Sequence, residues 1–111
     1  MWRTARARRH AHSIEDIAWL RAIDNITIVV PADPIETAAA MRWAAETEGP
    51  VFIRVSRMSV AELYPEDYTF VPGKAVTLRE GDDVTLISNG TVLWRALVAV
   101  EQLAGEGISA G

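Results

Sequence analysis

Two histidines and one arginine are the side chains of this 111-residue sequence whose types and positions could do chemistry. His10 and His12 lie two residues apart in an arginine-rich N-terminal arm, a spacing that places both on one side of an extended segment. They make a poor zinc site because the chain offers no nearby third ligand and has no cysteine, so a solvated arm is expected. Arg57 follows a predicted strand, and its guanidinium is suited to a bidentate contact with phosphate. Taken without its context, an arginine at a strand end is more simply interpreted as solvated.

Other polar residues have structural explanations. Glu15, Asp16 and Glu36 lie at predicted helix starts, where capping and the helix dipole favour acidic side chains. Ser56 and Ser88 have no evident neighbouring base, and the sequence contains no Gly-x-Ser-x-Gly motif that would support nucleophilic catalysis. The residues by themselves therefore indicate no catalytic residue.

The elements that position these residues alternate between helices and strands. Ser13 is predicted to cap a first helix, with Asp16 as its third helical residue and an end near 24–25. Two β-branched or apolar runs, at 26–30 and 51–55, are typical of buried parallel strands. The order β-α-β predicts a parallel sheet with helices on its faces, so the fold class is α/β.

The helix between the two strands has the strongest local signal in the sequence. Asp33 is predicted to cap it, Pro34 fits the first helical position, and Glu36 can reach back as the third helical residue. The helix is expected to run to about Thr47, and Gly49-Pro50 closes it.

The second half is predicted to hold another, incomplete α/β unit. After a connecting segment, its predicted elements are a turn of helix at 60–63, strands at 74–79 and 84–88, a helix at 91–103 and a strand beginning at 108. A parallel sheet built from these elements alone leaves backbone donors and acceptors unpaired. We therefore expect the sequence to be an internal slice of a larger protein.

Composition narrows the class of protein. The formal net charge is −4, yet residues 13–111 carry seven basic and fifteen acidic side chains, which argues against nucleic-acid binding. The sequence has no apolar run of the roughly 18–20 residues that cross a bilayer, so no membrane partner is expected. The absence of cysteine is compatible with a cytoplasmic location.

Several separate motifs, in this order, resemble the transketolase family. They are Ser13-Ile14-Glu15-Asp16-Ile17-Ala18, Val30-Pro31-Ala32-Asp33 with Glu36-Thr37, Gly49-Pro50-Val51 leading to Ser56-Arg57, Gly73-Lys74-Ala75, and the stretch from Leu78 through Glu80-Gly81-Asp82-Asp83 to Ile87. The resemblance covers residues 13–110 and is closest to the split, two-subunit transketolases, in which a C-terminal subunit carries these domains. A related thiamine enzyme, either deoxyxylulose-phosphate synthase or a 2-oxoacid dehydrogenase β chain, is the alternative within the enzyme class.

The resemblance implies a domain organisation. Residues 13–57 are the end of the parallel-sheet pyrimidine-binding domain, 58–73 are a linker, and 74–111 begin the α/β C-terminal domain. Residues 1–12 form an atypical basic arm.

The resemblance also implies a function and a set of partners. The family performs a two-carbon ketol transfer between sugar phosphates with thiamine diphosphate and Mg²⁺. The implied partners are an N-terminal transketolase subunit and sugar phosphates, in a homo- or hetero-oligomer. Arg57 matches the family arginine that binds the substrate phosphate, and His12 lies beside the place of the family's substrate-contacting histidine, which aligns with Ala11.

The sequence also departs from the family pattern. It has no counterpart of the Gly-Asp-Gly…Asn metal-diphosphate motif or of the glutamate that activates the aminopyrimidine. We therefore expect no cofactor-binding residue and no metal ligand in this chain, and no activity from the chain alone. The mismatch at the arm fits a frameshift, because GC-rich codons for Arg-Arg-His-Ala read one base later spell Gly-Ala-Thr-His. A non-catalytic product that acts through a partner subunit is the rival hypothesis.

Overall fold

A computed structural model of the chain describes residues 14–111. Its elements, in order, are α1 (Asp16–Leu20), β1 (Thr27–Val29), α2 (Pro34–Glu46), β2 (Val51–Ile53), a 3₁₀ turn (Gly90–Val92) and α3 (Leu93–Gly105). The predicted α/β class is confirmed. None of the helices in residues 14–111 is both long and apolar enough to span a bilayer.

The sheet is the predicted parallel pair. Thr27 lies opposite Val51 and Val29 opposite Ile53, with α2 as the crossover between the strands. Each strand has three residues rather than the five predicted, although the backbone N–H of Arg54 still donates to the Val29 carbonyl at 2.9 Å. The segments that follow the two strands therefore leave the sheet at the same edge, one after Val29 and the other after Arg54.

Helix α2 begins as the sequence predicts. Asp33 has an extended backbone, its Oδ1 accepts a hydrogen bond from the Glu36 N–H at 2.7 Å, and Pro34 occupies the first turn. Glu36 Oε2 in return accepts from the Ala32 N–H at 2.7 Å, so the reciprocal capping box is complete. The helix ends at Glu46 with Thr47 as its cap, in agreement with the predicted end.

Helix α1 differs from its prediction. Asp16 is its first residue rather than its third, Glu15 caps it without a side-chain hydrogen bond, and the predicted cap Ser13 lies outside the described residues. The helix stops at Leu20 instead of 24–25, because a tight turn follows and Asn25 takes a left-handed backbone with φ 63°. This reversal directs the chain into β1.

The predicted strands and helical turn of the second half are largely wrong. Within residues 14–111 the segments 74–79 and 84–88 form no regular strand, and their one ladder contact is a parallel bridge between Val84 and Ala110. A strand requires a partner for its backbone groups, and the expected strand beginning at 108 supplies only the residues around this bridge. Residues 60–63 form no helical turn, since the Leu63 N–H donates to a carboxylate outside the segment.

Hydrogen bonds at Val30 and at Asp33 are among the contacts that join the second half of the chain to the first. The Gly90 N–H donates to the Val30 carbonyl at 3.0 Å, just beyond β1. Gly90 has φ 61°, and a Cβ at this position would lie 2.8 Å from Val30 Cγ1, so glycine is required there. The second contact uses Asp33, whose Oδ2 accepts from the Leu63 N–H at 2.7 Å and the Tyr64 N–H at 3.0 Å. These contacts place α3 and the linker beside the parallel pair.

Candidate functional site

A cleft of about 650 Å³ opens at the carboxyl ends of β1 and β2. In open α/β sheets, ligands bind outside this edge, because the loops that follow the strands converge there. The cleft is lined by Val30 and Pro31 after β1, by the last residues of β2 and Arg54 to Met58 after it, by Asp16 of α1, and by Asn89 to Val92 at the start of α3.

Arg57 lies on the wall of this cleft. Its loop leaves β2 and turns at Ser56, whose Oγ accepts a hydrogen bond from the Met58 N–H at 3.1 Å. Arg57 sits between the two partners of this turn and is exposed, so its guanidinium is accessible to a ligand in the cleft. The structure thus places Arg57 on the cleft at the carboxyl edge of the sheet, and its contact with phosphate stays a prediction. His12, the other predicted substrate-binding residue, lies outside the described residues, as does His10.

Arg54 forms an ion pair with Asp16 on the cleft lining. The Arg54 Nε lies 3.1 Å from Asp16 Oδ2, and Asp16 is 7% exposed overall. Asp16 lies in the first turn of α1, as the sequence predicts, and it also pairs with a residue that follows β2. Its carboxylate is buried against β2, and a buried charge of this kind needs a close partner of opposite sign.

Among residues 14–111, the charged side chains that line the cleft are Asp16, Arg54 and Arg57. Because Asp16 and Arg54 neutralise each other, Arg57 gives the lining a net positive charge. A cleft with a single uncompensated guanidinium is suited to an anion such as a phosphate monoester.

A second cavity, of about 460 Å³, lies between the linker, α3 and the start of α2. Its lining includes the polar side chains of Glu36, Tyr64 and Tyr68, apolar residues of α3, and residues of the segments 74–79 and 85–89. The two tyrosine rings lie 4.3 Å apart between centroids, at an interplanar angle of 31°. This cluster was not predicted from the sequence, because Glu36 lies about thirty residues before the two tyrosines in the chain.

Burial raises the pKa of three titratable groups that line the second cavity. It raises the pKa of the Glu36 carboxyl above 4.5, although the hydrogen bond from the Ala32 N–H opposes this change. Burial also raises the pKa of the Tyr64 phenol to about 12 and, with the neighbouring Glu36 carboxylate, the pKa of the Tyr68 phenol. Glu36 caps α2, and Tyr68 of the linker hydrogen-bonds to its carboxylate. The cluster therefore has a structural explanation, since it attaches the linker to the start of α2.

The described residues do not fit the metal-diphosphate group that the resemblance implies for a complete assembly. Residues 14–111 contain no cluster of three His, Cys, Asp or Glu side chains that could hold a metal ion. The full sequence also lacks the Gly-Asp-Gly…Asn motif that would hold the diphosphate through the metal. We therefore assign no residue of this chain to thiamine diphosphate or Mg²⁺.

Comparisons with known proteins identify the same family in both halves of the chain. The family described as "Transketolase, pyrimidine binding domain" matches residues 5–62. The family described as "Transketolase, C-terminal domain" matches residues 73–111. The first match by itself covers more than half of the sequence.

Individual relatives agree with these matches. A 6-deoxy-6-sulfo-D-fructose transketolase subunit of Clostridium sp. (strain MSTE9) is 40% identical over 98 residues, which cover 88% of this chain and 30% of that protein. A putative transketolase C-terminal section of Methanocaldococcus jannaschii is 41% identical over 98 residues, covering 86% of this chain and 31% of that protein.

A solved structure, described as a split gene transketolase in an inactive beta4 tetramer, superposes with a TM-score of 0.86. It is 43% identical in sequence, and the match covers 89% of this chain and 33% of that one. The chain therefore spans about a third of the length of these relatives, and it resembles a stretch of a split transketolase's C-terminal subunit. The chain belongs to the transketolase family.

Proposed function

We propose that this chain supplies part of the sugar-phosphate-binding wall of a split transketolase, with Arg57 binding the substrate phosphate. The observation that carries the proposal is the position of Arg57 on the cleft at the carboxyl edge of β1 and β2, where it leaves the lining with a net positive charge. The reaction of the complete assembly is a two-carbon ketol transfer between sugar phosphates, with thiamine diphosphate and Mg²⁺ held outside this chain.

The residue types support a partner subunit. Residues 1–111 contain no metal-diphosphate motif, and in this proposal an N-terminal transketolase subunit supplies it, so that the chain alone is inactive. Relatives named as transketolase subunits agree with assembly into an oligomer. In this proposal the assembly is cytoplasmic, residues 13–57 and 74–111 belong to the pyrimidine-binding and C-terminal domains on either side of a linker at 58–73, and His12 is a second substrate contact.

The enzymatic proposal is tested by reconstitution with a separately expressed N-terminal transketolase subunit. Ketol transfer is measured for the wild-type chain and for Arg57→Gln, Arg57→Lys and the control Arg42→Gln, an exposed arginine of α2 that does not line the cleft. Loss of a charge-assisted hydrogen bond of about 1.5–3 kcal/mol corresponds to about a tenfold to hundredfold higher KM in Arg57→Gln. Lysine keeps the positive charge but lacks the planar guanidinium that contacts phosphate through two donors. The KM of Arg57→Lys is therefore expected to lie between those of wild type and Arg57→Gln. Equal KM values for Arg57→Gln and Arg42→Gln would refute the role of Arg57.

The second candidate function is a non-catalytic chain that acts only through a partner subunit, and the missing cofactor motifs favour it. The two candidates differ in the reconstituted assay, because a non-catalytic chain binds the N-terminal subunit without restoring transfer. Both expect no thermal stabilisation of the isolated chain by thiamine diphosphate and Mg²⁺. A ligand at a hundred times its Kd would add about 2.7 kcal/mol, so a clear shift of the isolated chain would contradict both.

A further inference from the structure

We infer that Asp16 is a positioning residue of the anion cleft, acting through Arg54 on the loop that carries Arg57. The inference rests on the proposed function, since it concerns the same cleft. In this role the Asp16–Arg54 pair fixes where the chain leaves β2, and thereby where the Arg57 guanidinium lies.

The geometry of Arg54 supports this role. Its backbone N–H makes the last contact with β1, to the Val29 carbonyl at 2.9 Å, while its side-chain Nε lies 3.1 Å from Asp16 Oδ2. Arg54 is therefore held on two sides at the point where the regular pairing ends. The loop to Arg57 begins two residues before the Ser56 turn, so a change in Arg54 is transmitted over a short, defined path.

The burial of Asp16 separates this role from that of an ordinary surface ion pair. The side chain of Asp16 is 9% exposed, whereas the side chain of Arg54 is 41% exposed. The desolvation free energy of a buried carboxylate is nearly as large as the attraction that its ion pair gains. Such a pair is therefore weak evidence for stability and better evidence for a fixed geometry. Helix α1 gains no capping bond from its own N-cap, Glu15, and Asp16 instead fastens the helix to the end of β2.

Positioning and simple electrostatics predict opposite results for the same substitution. If the lining charge alone matters, Asp16→Asn removes a negative charge and tightens phosphate binding, while Arg54→Gln weakens it. If positioning dominates, both substitutions weaken binding, because each one breaks the same contact. The double variant Asp16→Asn/Arg54→Gln restores the wild-type charge, so electrostatics predicts wild-type binding and positioning predicts the weakness of the single variants.

The experiment uses the full chain, isotope-labelled, titrated with inorganic phosphate and followed by the amide chemical shifts of residues 55–58. Each single variant and the double variant are expected to bind phosphate about tenfold more weakly than wild type, since small displacements of a binding group have effects of this size. The amides of 55–58 are also expected to shift in Asp16→Asn before phosphate is added. Asp24→Asn, at an exposed acid outside the cleft, is the charge control and leaves both readouts unchanged.

The outcomes separate the two proposals. Tighter binding by Asp16→Asn, wild-type binding by the double variant, or unmoved amides at 55–58 would overturn the positioning role while leaving the phosphate site intact. Displaced amides at 55–58, together with no saturable phosphate shift in the wild-type chain, would overturn the proposed phosphate site instead. If a single variant fails to fold, the double variant decides, because removing both partners leaves no buried charge uncompensated.

Discussion

Replacing Asp33 by asparagine is expected to release the linker while α2 stays capped. Asp33 is 2% exposed, and its two carboxylate oxygens serve different segments: Oδ1 accepts from the Glu36 N–H, and Oδ2 accepts from the N–H groups of Leu63 and Tyr64. Asparagine offers one acceptor oxygen, so it can serve one segment. The cap is the local interaction, and we expect it to persist.

The magnitudes follow from these contacts. A helix cap is worth about 1 kcal/mol, and a hydrogen bond to a charged acceptor about 1.5–3 kcal/mol. Since the two linker bonds share one oxygen, we expect Asp33→Asn to lower the free energy of unfolding by about 2–3 kcal/mol. Asp33→Ala loses the cap as well and is expected to cost about 3–4 kcal/mol.

Urea denaturation measures the free energies, and amide hydrogen exchange locates the change. In Asp33→Asn the amides of Leu63 and Tyr64 should exchange faster, while the Glu36 amide keeps its protection. Asp67→Asn, at an exposed linker carboxylate, is the matched control and should change neither measurement. Unchanged protection at Leu63 and Tyr64 in Asp33→Asn would refute the assignment of Asp33 as the anchor of the linker.

Three further predictions concern the second cavity and the contact between the halves. Because the folded pKa of Glu36 is raised, the folded state binds more protons than the unfolded state from pH 4.5 up to the raised value, so the contribution of Glu36 to stability falls across that window. Glu36→Gln should abolish this fall in denaturation series at several pH values, and an unchanged series contradicts the burial argument. In Tyr68→Phe, absorbance titration should give Tyr64 a pKa above its ordinary value of 10, because burial and the Glu36 carboxylate still raise it, and a midpoint near 10 would show the phenol to be solvated. Gly90→Ala should lower the free energy of unfolding by about 2–3 kcal/mol, because the new Cβ adds left-handed backbone strain and a close contact with Val30. Gly73 also has a positive φ but lies in open space, so Gly73→Ala should lower the free energy of unfolding by about 1–2 kcal/mol. Equal losses would show that the contact between the halves is not tight.

The sequence predicted best where the interactions lie within a few residues of each other. The start of α2 depends on Asp33, Pro34 and Glu36, whose hydrogen bonds close within one turn, and the structure confirms each of them. The resemblance to transketolases rests on similarly contiguous motifs, and the family matches confirm it. Helix α1 was less well predicted, since Asp16 is its first residue rather than its third. Asp16 also forms an ion pair with Arg54, which lies far along the chain.

The candidate site was predicted in part. The position of Arg57 after a parallel strand was enough to place it at the carboxyl edge of the sheet, since the chain leaves β2 there. The buried pair beside it and the Glu36–Tyr64–Tyr68 cluster were not predicted, and the predicted strands at 74–79 and 84–88 did not form as regular strands within the described part of the chain. Alternating apolar residues indicate that a segment can be a strand, but pairing with another segment decides whether it is one.

The sequence by itself determined the α/β order, the bounds of α2 and the place of Arg57 after a strand, because capping and backbone preferences act between near neighbours in the chain. It also determined the family, because the motifs that carry the resemblance are contiguous. The tertiary structure decided what those residues touch. It brought Asp16 to Arg54, and it gave Asp33 a second role thirty residues along the chain at Leu63. Such contacts follow from the crossover of the parallel strands, which brings distant segments together, and from the need of a buried carboxylate for donors in whichever segment lies beside it.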